Sequence, residues 1–185
     1  MPNSLSYDSG QEDIQLKPIF GNSILYISSR GLFSQILTFD FYNEDQKYFE
    51  KIQNERIFYE NELETIKTNM QNILDNCVHK INGELVFPEV VEVEIDFKTR
   101  SIPYFFWVIN FKAELKKGVN IYSADIDEEQ LDYNINSIYI FEPPIKPLSV
   151  VTSIHYEINE ERGIIKYWAN KNDWVGPREV IRFRF

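Results

Sequence analysis

The segment Asn43–Gly83, NEDQKYFEKIQNERIFYENELETIKTNMQNILDNCVHKING, decides how this chain is read. Phe49, Ile52, Arg56, Tyr59, Leu63, Ile66, Met70, Ile73 and Cys77 follow at spacings of three and four, the repeat of a helix that buries one face. Asn43 stands where an N-cap belongs, Gln46 lies three residues on in capping-box position, and Asn82-Gly83 supplies a stop. With no Gly or Pro between, the pattern predicts one helix over about 43–80, roughly 55 Å long at about 1.5 Å per residue. Read as heptads, the stripe places Phe49, Arg56, Leu63, Met70 and Cys77 at a and Ile at three of four d positions. That set suits a parallel two-stranded coil poorly, so the helix is expected to pack on the protein's own sheet.

On the N-terminal side, residues 1–18 mix polar residues with isolated apolar ones and read as a mobile tail. Ser23–Ser29 and Leu32–Phe41 flank Arg30-Gly31 as the two arms of a hairpin. Beyond Gly83 the period changes to two. Val91, Val93, Ile95 and Phe97 alternate with Glu92, Glu94 and Asp96, and Lys98–Ser101 turns. Ile102–Leu115 returns with apolar residues on both faces, the mark of a covered central strand. Asp125 with Glu128 predicts a helical turn, followed by strands over Ile135–Phe141, Val150–Ile158, Ile164–Trp168 and Glu179–Phe185. Pro143-Pro144-Ile145-Lys146-Pro147 is a stiff connector, too short to act as an interdomain linker. The expectation is an α+β fold: an N-terminal hairpin and one long central helix packed on a curved, mainly antiparallel sheet of about five or six strands. Residues 19–185 form its single domain.

Composition narrows function by exclusion. The 185 residues are 43% apolar and 26% charged, enough for one core and too charged for lipid. A net charge of −10 opposes general nucleic-acid binding, which depends on a basic field. The N-terminal residues show no cationic start or apolar signal core, and no apolar run approaches the ~20 residues that span a bilayer. A cytoplasmic protein without membrane association is expected. The glycines lie singly at 10, 21, 31, 83, 118, 163 and 176, so no phosphate loop forms, and neither a nucleophile elbow nor zinc spacing is present.

The chemically suggestive residues each have a structural reading. Cys77 and His79, the only cysteine and one of two histidines, would point roughly 200° apart on a helix. Cys77 then belongs to the apolar stripe and His79 to the helix C-terminus. His155 shares a strand face with Ser153 and Glu157, an acid–base adjacency that plain alternation also produces. Glu92, Glu94 and Asp96, with Asp125, Asp127, Glu128 and Glu129, could hold a divalent metal, or face Arg182 and Arg184 on a neighbouring strand. Tyr167, Trp168 and Trp174 with Arg178 could stack a base or line a pocket. No catalytic, cofactor or metal site is assigned from these patterns.

The leading expectation is a non-enzymatic binding or assembly module that meets a second copy of itself as a homodimer, or another protein. A compact domain of this length is roughly 40 Å across, so a 55 Å helix would overhang it, and the two-sided strand needs cover that one helix cannot give. The alternatives are a protein that binds an apolar small molecule between helix and sheet, and a divalent-metal hydrolase built on the surface carboxylates.

Overall fold

The structure, a computed structural model, describes residues 7–8 and 14–185. In chain order the elements begin with β1 (Tyr7–Asp8), β2 (Gln15–Ile27) and β3 (Leu32–Tyr42). The last two form the hairpin expected around Arg30-Gly31. Gly31 turns it at φ +76°, and a Cβ there would collide with the Ala113 carbonyl, so only glycine fits. Of the expected tail, residues 1–6 and 9–13 lie outside the described residues, while Ile14 and Leu16 are buried.

The long helix is two helices, α1 (Lys47–Asn54) and α2 (Arg56–Asn76), with Glu55 between them in a non-helical conformation (φ −121°, ψ 90°). Tertiary contacts explain the break, since no Gly or Pro does. Tyr48 donates its hydroxyl to Glu62 Oε2 at 3.0 Å and packs edge-on against Phe58. On an unbroken helix, residues 14 apart would be separated by about 21 Å. Breaking at Glu55 lets α1 bury Tyr48 and Ile52 while α2 buries Ile66 and Met70. Asn43 still serves the helix start, accepting the Tyr48 N–H on its Oδ1 at 3.1 Å, but it does so from the preceding loop.

The other end of the expected helix is strand. β4 (Val78–Ile81) and β5 (Glu84–Val86) form a hairpin around Asn82-Gly83. Both turn residues have positive φ, 54° and 89°, as a two-residue turn between antiparallel strands demands. The dipeptide is a hairpin turn and not a helix stop. The remaining elements are β6 (Glu89–Thr99), β7 (Ile102–Lys112), β8 (Val119–Asp125), β9 (Glu129–Gln130), β10 (Asn134–Phe141), β11 (Lys146–Val151), β12 (His155–Asn159), β13 (Ile164–Ala169), β14 (Trp174–Val175) and β15 (Arg178–Arg184). The described residues are therefore mostly β, 56% strand and 17% helical, and the α+β expectation of one long helix on one sheet of five or six strands does not hold.

The strands make an eight-stranded sheet of order β12-β13-β10-β2-β3-β7-β6, with β1 joined to β2, a five-stranded sheet of order β11-β15-β8-β4-β5, and a ribbon of β9 with β14. The single strand expected over Val150–Ile158 bends at Thr152–Ile154 and serves both large sheets. The helical turn expected after Asp125 is instead the β9 ribbon. Strand β8 escapes the alternation test because polar Asn120 and Ser123 are buried in it.

One face of the eight-stranded sheet is inside, and two different covers share it. The helices take one end of the strands, where β3 finishes and β7 begins, closing over Phe39, Phe41, Phe105, Trp107 and Ile109. Trp107 fixes this cover by donating its indole N–H to the Ile66 carbonyl of α2 at 3.3 Å. The five-stranded sheet takes the opposite end, where Ile81, Tyr122, Ile181 and Phe183 meet Leu25, Phe33, Phe111 and Phe141. The outer face of β7 is only half-buried, so the central strand expected to be covered on both sides is covered on one.

Ile66→Ala should destabilise the fold by about 2 to 5 kcal/mol, as for a buried aliphatic truncated in a packed core. Ile57→Ala, at a side chain 75% exposed, should stay within about 0.5 kcal/mol. Urea midpoints of the two variants check both expectations.

Candidate functional site

Where α2 ends and the five-stranded sheet begins, the two covers do not meet, and a cavity of about 210 Å³ lies over the middle of the large sheet. Register explains its floor. Ser23 pairs with Leu37 on one side and Ser137 on the other, while Gly21 pairs with Phe39 and Ile135, so small residues cluster in β2 and β10. A Cβ at Gly21 would already crowd Phe39 at 3.0 Å and Ile135 at 3.2 Å. The roof comes from β4, β8 and β15, where His79, Ala124 and Glu179 lie in one cross-strand row. The end of α2 closes one side with Met70, Ile73 and Leu74, and Cys77 follows. Exposed Asn136, Ser153 and Arg178 mark the mouth.

Most of this wall is apolar, and its polar groups are few and specific. Gln35 Nε2 donates to Ser23 Oγ at 2.7 Å on the floor. Tyr139 donates its hydroxyl to Glu179 Oε1 at 3.2 Å, and the Tyr139 and Tyr167 rings lie 4.8 Å apart. His79 Nδ1 lies 3.0 Å from the Tyr122 hydroxyl. Two buried polar atoms of the lining, His79 Nε2 and the Tyr167 hydroxyl, have no hydrogen-bond partner among the described residues. Buried groups of this kind are rare because each forfeits its hydration without replacement.

Burial sets the protonation of the cluster. Desolvation pushes the Glu179 carboxyl up to about 7, with Tyr139's hydrogen bond opposing it. The same effect drives Tyr122, Tyr139 and Tyr167 far above the ordinary phenol range and His79 below the ordinary imidazole range. Glu179 and Tyr139 both line the cavity and keep partial accessibility. Burial also raises the Cys77 thiol, so it is held as the unreactive thiol.

The structure redistributes the residues singled out from sequence. Cys77 and His79 belong to a strand and its approach rather than a helix, so residues two apart share a face, and both line the cavity. His155 lies on the opposite face of the large sheet, stacked on Trp168 at 5.7 Å, while Ser153 sits in the loop at the cavity mouth. Glu157 faces Lys166 across the strand pair. Glu92, Glu94 and Asp96 are exposed on β6; Tyr59 donates to Glu94 and Tyr104 to Asp96. Arg182 and Arg184 do not face them, because β15 pairs with β8 and β11 in the other sheet. Asp125 pairs with Arg178 at 3.2 Å. Among the described residues, no group of three His, Cys, Asp or Glu side chains is placed to hold a metal ion. Of the aromatic set, only Tyr167 reaches the cavity; Trp168 and Trp174 are exposed elsewhere. Tyr139, Glu179, Ser137 and Gly21 carried no sequence signal, since each sits in an ordinary strand and becomes part of a site only through pairing.

Glu179 gives the site a pH signature. Its carboxyl binds a proton more tightly in the folded chain, about 7, than at the ordinary value of 4.5. Between these values the native state holds more protons than the unfolded one, so this group's contribution to stability falls as pH rises through the window. Glu179→Gln, which is never charged, should therefore gain on the natural protein between pH 5 and pH 8. Urea unfolding of both proteins at the two pH values measures that difference.

No protein-family model matches the chain, and no curated protein matches it in sequence. Among solved structures, it is similar to the folded domain of Mycobacterium tuberculosis LppM at 8% identity and a TM-score of 0.46, covering 95% of this chain and 96% of that one. A putative protease from Parabacteroides distasonis matches at 5% identity and a TM-score of 0.36, covering 92% of this chain and 40% of that one. An aminopeptidase N family protein from Idiomarina loihiensis matches at 9% identity and a TM-score of 0.39, covering 88% and 29%.

Proposed function

We propose that the protein is a non-enzymatic module that binds a small, largely apolar molecule in the cavity between α2 and the two large sheets. The observation that carries this reading is the cavity itself: an apolar chamber into which His79 and Tyr167 bring buried polar atoms without partners. Ligand sites combine apolar walls with a few convergent polar groups in this way. For scale, an aliphatic cavity of about 150 Å³ holds benzene. One of about 210 Å³ suits a single ring with a short substituent. Native mass spectrometry after gentle purification should show a retained adduct or, after addition of 2-phenylethanol, a 1:1 complex. Ala124→Leu, which puts a branched side chain into the roof between His79 and Glu179, should weaken that complex at least about tenfold by overfilling the space. Failure to bind, or binding indifferent to this variant, would remove the reading.

A second reading, self-association, keeps one of its two supports. The helix overhang is gone, because α2 spans only about 32 Å, yet the outer face of the large sheet presents Ile24, Tyr26 and Ile36 side by side, 37%, 39% and 42% exposed. A second copy packed on this face would form a dimer compatible with a ligand inside each chain. Sedimentation equilibrium at tens of micromolar should then give twice the 22.0 kDa chain mass, and Ile36→Asp should return the monomer. A monomeric natural protein counts against it. Among the described residues, no helix is long and apolar enough to cross a membrane.

A further inference from the structure

Glu179 is the cavity's distinguishing group. It is an acid set in a wall of Tyr122, Tyr139 and Tyr167, and among the described residues no salt bridge joins it to a cation. Arg178, the one guanidinium in the lining, is 61% exposed at its side chain and engaged by Asp125. His79 is held toward its neutral form by burial. An ionised carboxylate enclosed without a cation is costly, and the cost disappears when a positive charge arrives with its own hydrogen-bond donors. Aromatic rings add to the attraction, since their negative faces favour a cation once water is removed. The cavity thus has an anionic, aromatic end and an apolar body. A ligand carboxylate would bring like charge against Glu179 and find no free side-chain cation among the described residues of the lining. A neutral ligand would leave the carboxylate unpaired.

We propose that the ligand is an amine, cationic at its nitrogen and apolar in its body, that enters with its ammonium group against Glu179 and beside the rings of Tyr139 and Tyr167. This inference rests on the ligand-binding reading and names the chemical class that reading leaves open. The Tyr139 hydroxyl, already donating to one carboxylate oxygen, holds Glu179 in place and leaves its other oxygen to accept from the ammonium.

Isothermal titration of the full chain at pH 8, where Glu179 is ionised, tests it with three probes of one size: 2-phenylethylamine, 2-phenylethanol and phenylacetate. The amine should bind at least about tenfold more tightly than the alcohol, the yield of one charge-assisted hydrogen bond, and phenylacetate should bind most weakly. Glu179→Gln should erase the amine's advantage, and Glu179→Asp, which withdraws the carboxylate by one methylene, should shrink it. Alcohol binding equal to or tighter than amine binding overturns this inference and leaves the cavity reading standing. So does an amine preference that survives Glu179→Gln. If none of the three binds, the cavity reading falls and takes the amine with it. Should the Gln variant fail to fold, the order of the three probes on the natural protein still decides whether the site selects an ammonium.

Discussion

Covering one face of a wide sheet is the constraint from which the rest of this structure follows. The inner face of the eight-stranded sheet carries Phe33, Phe39, Phe41, Phe105, Trp107 and Ile109 on adjacent strands, each almost inaccessible. At roughly 25 cal/mol per Å² of apolar surface, leaving such a face wet would cancel the stability of a domain this size. No single element in the chain is broad enough to lie over all of it. The helical segment covers one end, tied to β7 by the Trp107 indole and the Ile66 carbonyl. A second sheet covers the other.

The seam between unlike covers is where a site arises. A helix and a sheet stand at different heights above the layer they cover, so their junction leaves space unless large side chains fill it. Here the floor carries Gly21, Ser23 and Ser137, and the roof carries Ala124. The space stays open, and the buried tyrosines, His79 and Glu179 around it give it polarity at one end. Elsewhere the Glu142 carboxylate accepts from the Ser29 N–H and from both the Ser28 and Ser29 hydroxyls, pinning the β2–β3 turn to the end of β10. Of the three buried side-chain polar atoms without a hydrogen-bond partner among the described residues, Asn110 Oδ1 lies outside the cavity, and His79 Nε2 and the Tyr167 hydroxyl both line it.

Several features were legible in the residues alone, and for local reasons. Alternation identified β15, where Ile181 and Phe183 are buried and Arg182 and Arg184 exposed, and the β6 strand, although Val91, expected on its inner face, is exposed; Arg30-Gly31 identified the first hairpin. The apolar stripe from Phe49 to Ile73 is a real helical stripe, since both helices bury residues of it. Net charge of −10 and the scattered glycines are properties of composition that no fold can change.

Other features had no local cause to read. The stripe keeps helical spacing across Glu55, and only the meeting of Tyr48 with Phe58 and Glu62 makes an unbroken helix impossible. Asn82-Gly83 serves equally as a helix stop or a hairpin turn, and the pairing of β4 with both β5 and β8 selects the turn. That one choice moved Cys77 and His79 from opposite sides of a helix to the same wall of a cavity. Glu179 shows the division most clearly. Its sequence neighbours describe an ordinary strand on which it would be one more surface acid; its place beside Tyr139 and against the cavity comes from a strand 40 residues away in sequence. Sequence determined the periodicities, the turn residues and the charge because these act within a few residues. Tertiary structure decided the helix break, the partition of strands between two sheets and the site, because burial of a shared face is a property of the assembled chain.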